Sequence, residues 1–578
     1  MKVFQGSGLK LLASAVAFLG LTLAACGGDD DGGGGAAKDE GAAADAAPAD
    51  QQILRLRLLG EPKTIDPHLT NFAEETTLTK SLFSGLFTYD ENLKVIPNAA
   101  AEMPTTENSG ISKDGLTYTI KIRKDAKWSD GQALTAKDFV YSMKRAMDPK
   151  LAGPYTSFYF AIKGAEEYNT AFGTKDAPKT PSDADLTKMR DAVGASAKDD
   201  NTVVYQLKEP YPSFLSVMAL WTSFPVRQDV VEKYGDKWTE PGNHIGNGPF
   251  VLKEWVHGSR LVFEQNPNWF GKAKLTRISI SIIEDVTAAY AAYLNNELDM
   301  TDVPPANRRE VATAASPLNK ELQRKNELTT FALIYNNKEA PFDKLKVRQA
   351  FALALDRKAY VDVVLSGVGQ ATTSWLPPGM PGYNGEIGKQ YELNATKAKQ
   401  LLSEAGYPEG KGLPKVSILI RTSDTNRNVL APFVIENFKK NLGVDVEFEF
   451  VDTGTYTSRY TKSQFQIVIG GWGADWPYPD NWLPEFLRTG GSNNQGLYSN
   501  PKFDDLMKQA IQESDDKKRL ALYDQAQKLA VDDDAALAPI YNREVFILVK
   551  PKVKDLILTS LDGGIRGDYN LYRTYIAK

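Results

Sequence analysis

Apolar and polar positions alternate without a slip over Leu116-Thr117-Tyr118-Thr119-Ile120-Lys121-Ile122-Arg123, the signature of a half-buried strand. Further strands are predicted at 53–59, 201–207, 260–265 and 277–283, and helices at 74–87 and 287–296. Thr135-Ala136-Lys137-Asp138 is close to a capping box, Phe139, Val140, Met143 and Met147 share one helical face, and Pro149 stops that helix. The loop 241–250 is punctuated by glycine and proline. From Thr329 the pattern becomes strand, helix, strand: strands at 329–335, 416–421 and 444–451, and helices at 347–366, 395–404 (closed by Gly406) and 431–441. That run ends on a buried strand, Phe465 to Ile469, and predicts an α/β lobe with a largely parallel sheet. A helix over 517–531 and strands at 538–541 and 545–549 complete the chain.

Lys2 and Lys10 precede an apolar run, Leu11 to Leu23, that ends in small residues, the layout of a secretory leader rather than a membrane span. Cys26 is the only cysteine in the 578 residues, which excludes an intramolecular disulfide. Gly27 to Asp50 is mostly glycine, alanine and aspartate with little to bury, predicting a disordered tether of about 25–30 Å. Loss of the leader takes the formal net charge from −5 to −7, and no Lys/Arg block stands out, so nucleic acid is a poor candidate partner. No Pro/Gly/Ser linker interrupts the chain after Asp50, so its lobes are expected to be discontinuous.

The stretch Gly470-Gly471-Trp472-Gly473-Ala474-Asp475-Trp476-Pro477 carries the candidate chemistry. Its glycines allow another backbone to come close, and Asp475 between two tryptophans suits an ammonium group, since aromatic faces attract a cation and exclude water. An aspartate before Trp-Pro is also an ordinary turn former, and both tryptophans could be core. His68, His244 and His257 are the only histidines, and none is spaced as a helical metal pair, so no metal or cofactor is expected.

Leu23-Ala24-Ala25-Cys26 resembles the lipobox of bacterial lipoproteins, which implies cleavage before Cys26 and lipidation of its thiol. The chain as a whole resembles the oligopeptide-binding lipoproteins of bacterial ABC importers, within the family 5 extracellular solute-binding proteins. The resemblance rests on Glu61-Pro62 with Ile65-Asp66-Pro67-His68, on 123–131 (Arg123 to Gly131), Asp138-Phe139-Val140-Tyr141-Ser142, Trp238-Thr239-Glu240-Pro241-Gly242-Asn243, and Gly471-Trp472 followed by Ala474-Asp475. It implies an α/β, two-lobed periplasmic-binding-protein-like fold (class II, cluster C) with an extra inserted domain. The expected division is leader 1–25, lipid-anchored linker 26–52, first lobe 53–90, inserted domain 91–205, first lobe again 206–328, second lobe 329–543, and first lobe 544–578.

A peptide would lie extended between the lobes, bonded to the backbone of Gly471 to Gly473. By the same resemblance Asp475 takes its α-ammonium, Tyr155 lines the site with Trp472 and Ala474, and the partners are the peptide and a membrane permease. A monomer outside the cytoplasm, held to the membrane by its lipid alone, is expected. Relatives with an arginine two residues before the glycine have no counterpart here, where Ile469 stands, and Gly473 can form no disulfide. The group that takes the ligand's carboxylate is therefore open, with Arg421, Arg427, Arg459 and Arg543 as basic candidates. The same fold could instead hold a saccharide, haem or a metal chelate, or act as a peptide sensor. A hydrolase is the remote alternative, for which Asp475 with Asp480 is the only tempting carboxylate pair.

Overall fold

In the computed structural model residues 45–578 are described, except 174–176, 423–426 and 492. The leader and Cys26 lie outside the described residues. The C-terminal end of the expected tether does not hang free. Gln52 is buried, donates to Ala47 O and Ile576 O, and accepts from the Ile576 N–H, while Ala46 bridges Ala577. A buried amide satisfied on three sides pins residues that composition alone assigns to a flexible coil.

The N-terminal strand Ile53–Leu58 pairs in parallel with Arg277–Ile282, which continues antiparallel through Arg260–Gln265 to Phe250–Val256. A separate three-stranded antiparallel sheet joins Thr117–Lys121, Thr202–Gln206 and Ala195–Asp199. Beside it runs the helix Ala136–Ala146, whose capping box between Thr135 and Asp138 forms as its sequence predicts. The helix expected over 74–87 stops at Leu82. Gly248 N–H donates to the Leu82 carbonyl, Ser84 N–H is taken by Asn247, and Phe87–Tyr89 is already strand.

The largest sheet runs in the order Met300–Asp302, Leu537–Val549, Leu322–Tyr335, Ile467–Gly473, Val416–Arg421, Val446–Val451, with the short Gln370–Ala371 beside 537–549. Only the last two pairings are parallel; the ladders of 322–335 with both its neighbours are antiparallel. The sheet is therefore mixed, not largely parallel. Its central partner arrives from the far end of the chain, where periodicity gives no direction. The two strands expected at 538–541 and 545–549 are one, because Asn542 in the polar interruption donates to the buried Thr330 Oγ1 instead of turning.

Both faces of this sheet are covered. Leu333, Tyr335, Ile418, Ile420 and Ile467 face one core; Ala332, Ile334, Leu419 and Val468 face another, which continues into the first strand sheet and the 117–206 segment. Successive side chains thus enter different cores, which explains the near-continuous apolar runs of these strands. The helix expected over 347–366 is two, Leu345–Ala354 and Arg357–Val363, because Asp356 turns to cap the second through the Ala359 N–H.

Candidate binding site

Strand 467–473 is the scaffold of the site. One edge is bonded to 322–335 along its whole length, with Gly471 opposite Phe331 and Gly473 opposite Thr329. A Cβ on Gly471 would stand 2.5 Å from the Thr330 carbonyl oxygen, so only glycine lets the two backbones come this close. The opposite edge is covered by 416–421 only at Ile467 and Val468. From Ile469 to Gly473 that edge has no strand partner among the described residues, leaving main-chain donors and acceptors for an extended ligand.

The chain then leaves the sheet and presents Asp475. Its N–H donates to Asn481 Oδ1 (2.7 Å), and Asn481 Nδ2 donates to Asp475 Oδ2 (3.2 Å). Asp475 enters no ion pair among the described residues. Burial pushes its carboxyl up to about 7, with the hydrogen bond from Asn481 opposing this only in part. Asp475, Gly473 and Ala474 line a cavity of about 180 Å³ together with Tyr155, Trp221 and Lys80. Tyr155 packs on Trp221 with ring centres 5.2 Å apart, and its phenol is held well above the usual range by burial and then by the Asp475 charge. Lys80 is occupied, paired with Asp568 at 3.1 Å and lying 3.9 Å over the Tyr569 ring.

The aromatic walls differ from the expectation. Trp476 is fully buried, edge-on to Phe158 and bonded through Nε1 to Asp480, and Trp472 is half-buried against Phe486; neither lines this cavity. Tyr155, Trp221 and Tyr569 take that place, and the latter two carried no signal in the sequence. Asp480 is buried in the Trp476 contact and lines a different cavity from Asp475, so the two carboxylates do not form a catalytic pair.

Of the four basic candidates, only Arg543 reaches the cavity. Arg459 pairs with Glu449 and Arg421 covers the Tyr456 ring. Arg427 begins a helix at the border of residues outside the description. Arg543 contacts Glu327, which carries no signal in the sequence because it ends the polar run Gln323-Arg324-Lys325-Asn326. Glu327 also pairs with Arg566 at 2.7 Å, and against the effect of burial the two guanidinium groups hold its carboxyl below the usual range.

Among the histidines, His68 bonds Arg145 and the Phe224 carbonyl, His244 is buried against Trp238 and Phe83, and His257 contacts Glu61 and Glu240. No group of three potential metal ligands occurs among the described residues. A larger cavity of about 350 Å³ lies elsewhere, beside Arg357 and Thr373; there Arg357 is largely spent on the carbonyls of Pro539, Ala352 and Tyr391.

The family model for bacterial extracellular solute-binding proteins, family 5 (middle region), matches residues 94–494. The chain belongs to this family. Among its relatives, this family 5 protein is 32% identical over 539 residues to the periplasmic oligopeptide-binding protein OppA of Escherichia coli K12, covering 91% of this chain and 92% of that one. The solved structure of the Escherichia coli murein tripeptide-binding protein MppA matches with a TM-score of 0.75 at 29% identity, over 92% of this chain and 99% of that one. The Haemophilus influenzae OppA complex with RPPGFSPFR matches with a TM-score of 0.73 at 30% identity, over 92% and 99%. Family 5 members are binding proteins, and the two-lobed binding-protein fold with an inserted domain is the fold of this chain.

Proposed function

We propose that this protein captures short peptides in extended form and delivers them to the permease of an ABC importer. The observation that carries the reading is Asp475: a desolvated carboxylate without a cationic partner, beside an open strand edge. An α-ammonium placed there would supply the missing charge, and Ile469 to Gly473 would bond the main chain that follows it. Neither contact reads a side chain, which suits a carrier of varied cargo. The similarity to oligopeptide- and murein peptide-binding proteins supports the same cargo class. A ligand touching both lobes favours the closed form, because only differential affinity moves such an equilibrium.

The leader and lipobox support an extracytoplasmic protein anchored through lipid on Cys26. Calorimetry with one peptide carrying a free and an acetylated amino terminus tests the binding mode. Tight binding of the free form and loss of about tenfold or more on acetylation is expected; equal affinity would remove Asp475 from the role.

A further inference from the structure

The motif 123–131 has no part in the peptide reading. Arg123 opens it, and its N–H donates to the Ala99 carbonyl while Ile122 bridges Ala100, so the motif starts against the segment that follows the hairpin of Phe87–Tyr89 with Val95–Pro97. Near the other end of the motif the Ser129 carbonyl accepts from Asn268 Nδ2 at 2.9 Å, next to Trp269 and Phe270. Between these segments lies a cavity of about 230 Å³. It shares only Lys80 and Tyr569 with the cavity of Asp475, and none of its lining residues belongs to a strand of the largest sheet.

Its walls are aromatic. Six rings line it, and Trp269 lies 5.2 Å from Phe270 and 5.1 Å from Tyr572, centre to centre. A Cβ on Gly271 would stand 2.3 Å from the Trp269 ring, so glycine is what lets the indole lie there. Both cations that face the cavity already have an acid: Lys80 pairs with Asp568 and Arg123 with Asp125. Hydrogen-bonding capacity nevertheless remains. The side chains of Asn98 and Thr88 have no partner among the described residues, and Arg123 uses Nε and Nη2 for Asp125 but leaves Nη1 unspent. The buried Ser84 hydroxyl accepts from Trp269 Nε1, while its own proton meets no acceptor among the described residues.

These features select a ligand class. An ion would find no uncompensated charge, and a purely apolar ring would strand the amide and the hydroxyl groups. A neutral ring bearing hydroxyl groups suits both demands, because its C–H bonds carry the partial positive charge that aromatic faces attract and its hydroxyls donate as well as accept. Small-molecule pockets commonly span about 300–1,000 Å³, so a smaller cavity takes a single ring. We propose that this cavity is a second binding site, separate from the peptide cavity, for one ring of a small neutral saccharide. Asn98, Thr88, Ser84 and Arg123 Nη1 bond its hydroxyl groups, and Trp269 with Tyr572 supports its face. The assignment does not depend on Asp475 or on peptide capture.

The test is saturation-transfer NMR and calorimetry on the full-length protein with glucose, galactose, mannose and ribose, using indole and benzoate as apolar and anionic ring controls. At least one sugar should bind with a Kd of about 1 mM or tighter, the scale for so small a ligand. An excess of tri-alanine should not displace it. Asn98→Leu, which removes the amide and fills its space, should weaken that sugar about tenfold or more, and the milder Asn98→Ser should act in the same direction. Near-ultraviolet circular dichroism checks the fold of each variant, and Asn98→Ser carries the test alone if Asn98→Leu does not fold. No sugar bound up to about 10 mM, unchanged affinity in the folded variants, or tighter binding of indole or benzoate than of every sugar would overturn the assignment. Displacement by tri-alanine would put the sugar in the peptide cavity and overturn it equally.

Discussion

Asn481 brackets Asp475, accepting its backbone N–H at 2.7 Å and donating to its Oδ2 at 3.2 Å. The amide is fully buried and serves both as the turn's fastener and as a stabiliser of the ionised acid. Asn481→Ala should therefore raise the Asp475 carboxyl further above its already high value and weaken free-amino peptides by about 3- to 30-fold near pH 7. Calorimetry across pH 6 to 9 checks this: the acidic limb of the affinity profile should move upward in the variant.

The pH dependence of the unaltered protein follows from the same group. Its carboxyl titrates at about 7 when folded and near 3.8 when unfolded, so the folded state holds the extra proton between those values. Ligand-free stability should fall as pH rises through that window, by on the order of 4 kcal/mol, and level off above it. Peptide binding needs the ionised acid, so affinity should fall about tenfold per unit below pH 7. It should fall again as the peptide's own amine loses its proton, near pH 8. Calorimetry in buffers of different ionisation enthalpy should find close to one proton released at pH 6 and uptake at pH 9.

Gly471 tests the close approach of the two central strands. A methyl group there meets the Thr330 carbonyl and the Phe331 ring. Gly471→Ala should cost about 1–3 kcal/mol of stability by denaturant titration and weaken peptide binding with it, since the same backbone carries the open edge.

Glu327 holds two arginines, one of them largely buried. Glu327→Ala should destabilise the protein by about 3–5 kcal/mol, because the largely buried Arg566 would lose the carboxylate it is paired with. Chemical denaturation of the variant beside Glu327→Gln separates the lost charge from the lost volume.

Cys26→Ser should move the protein from the membrane to the soluble fraction without altering peptide affinity. Fractionation and metabolic labelling with a fatty acid would report both effects.

Much of this was legible in the residues. The alternation at Leu116–Arg123, the box at Thr135–Asp138 and the glycines before Asp475 each encode a local requirement, and the ordered motifs carried the family. What escaped depends on contacts distant in sequence. The direction of the central sheet rests on 537–549 returning beside 322–335. The true walls of the cavity, Trp221 and Tyr569, lie far from Asp475 along the chain. Trp476 follows Asp475 directly, yet Asp480 and Phe158 draw it into the core. Asp356 offered a readable signal, an N-cap residue inside an apolar helical run, and it does break that helix.

The most direct test crosses two changes at pH 7.5: Asp475→Asn in the protein and N-acetylation in the peptide. If the acid and the ammonium meet, each change alone should weaken binding by about tenfold to a hundredfold, and the second change should add almost nothing to the first. Independent losses that multiply, or an Asp475→Asn protein that binds free-amino peptides undiminished, would contradict the account.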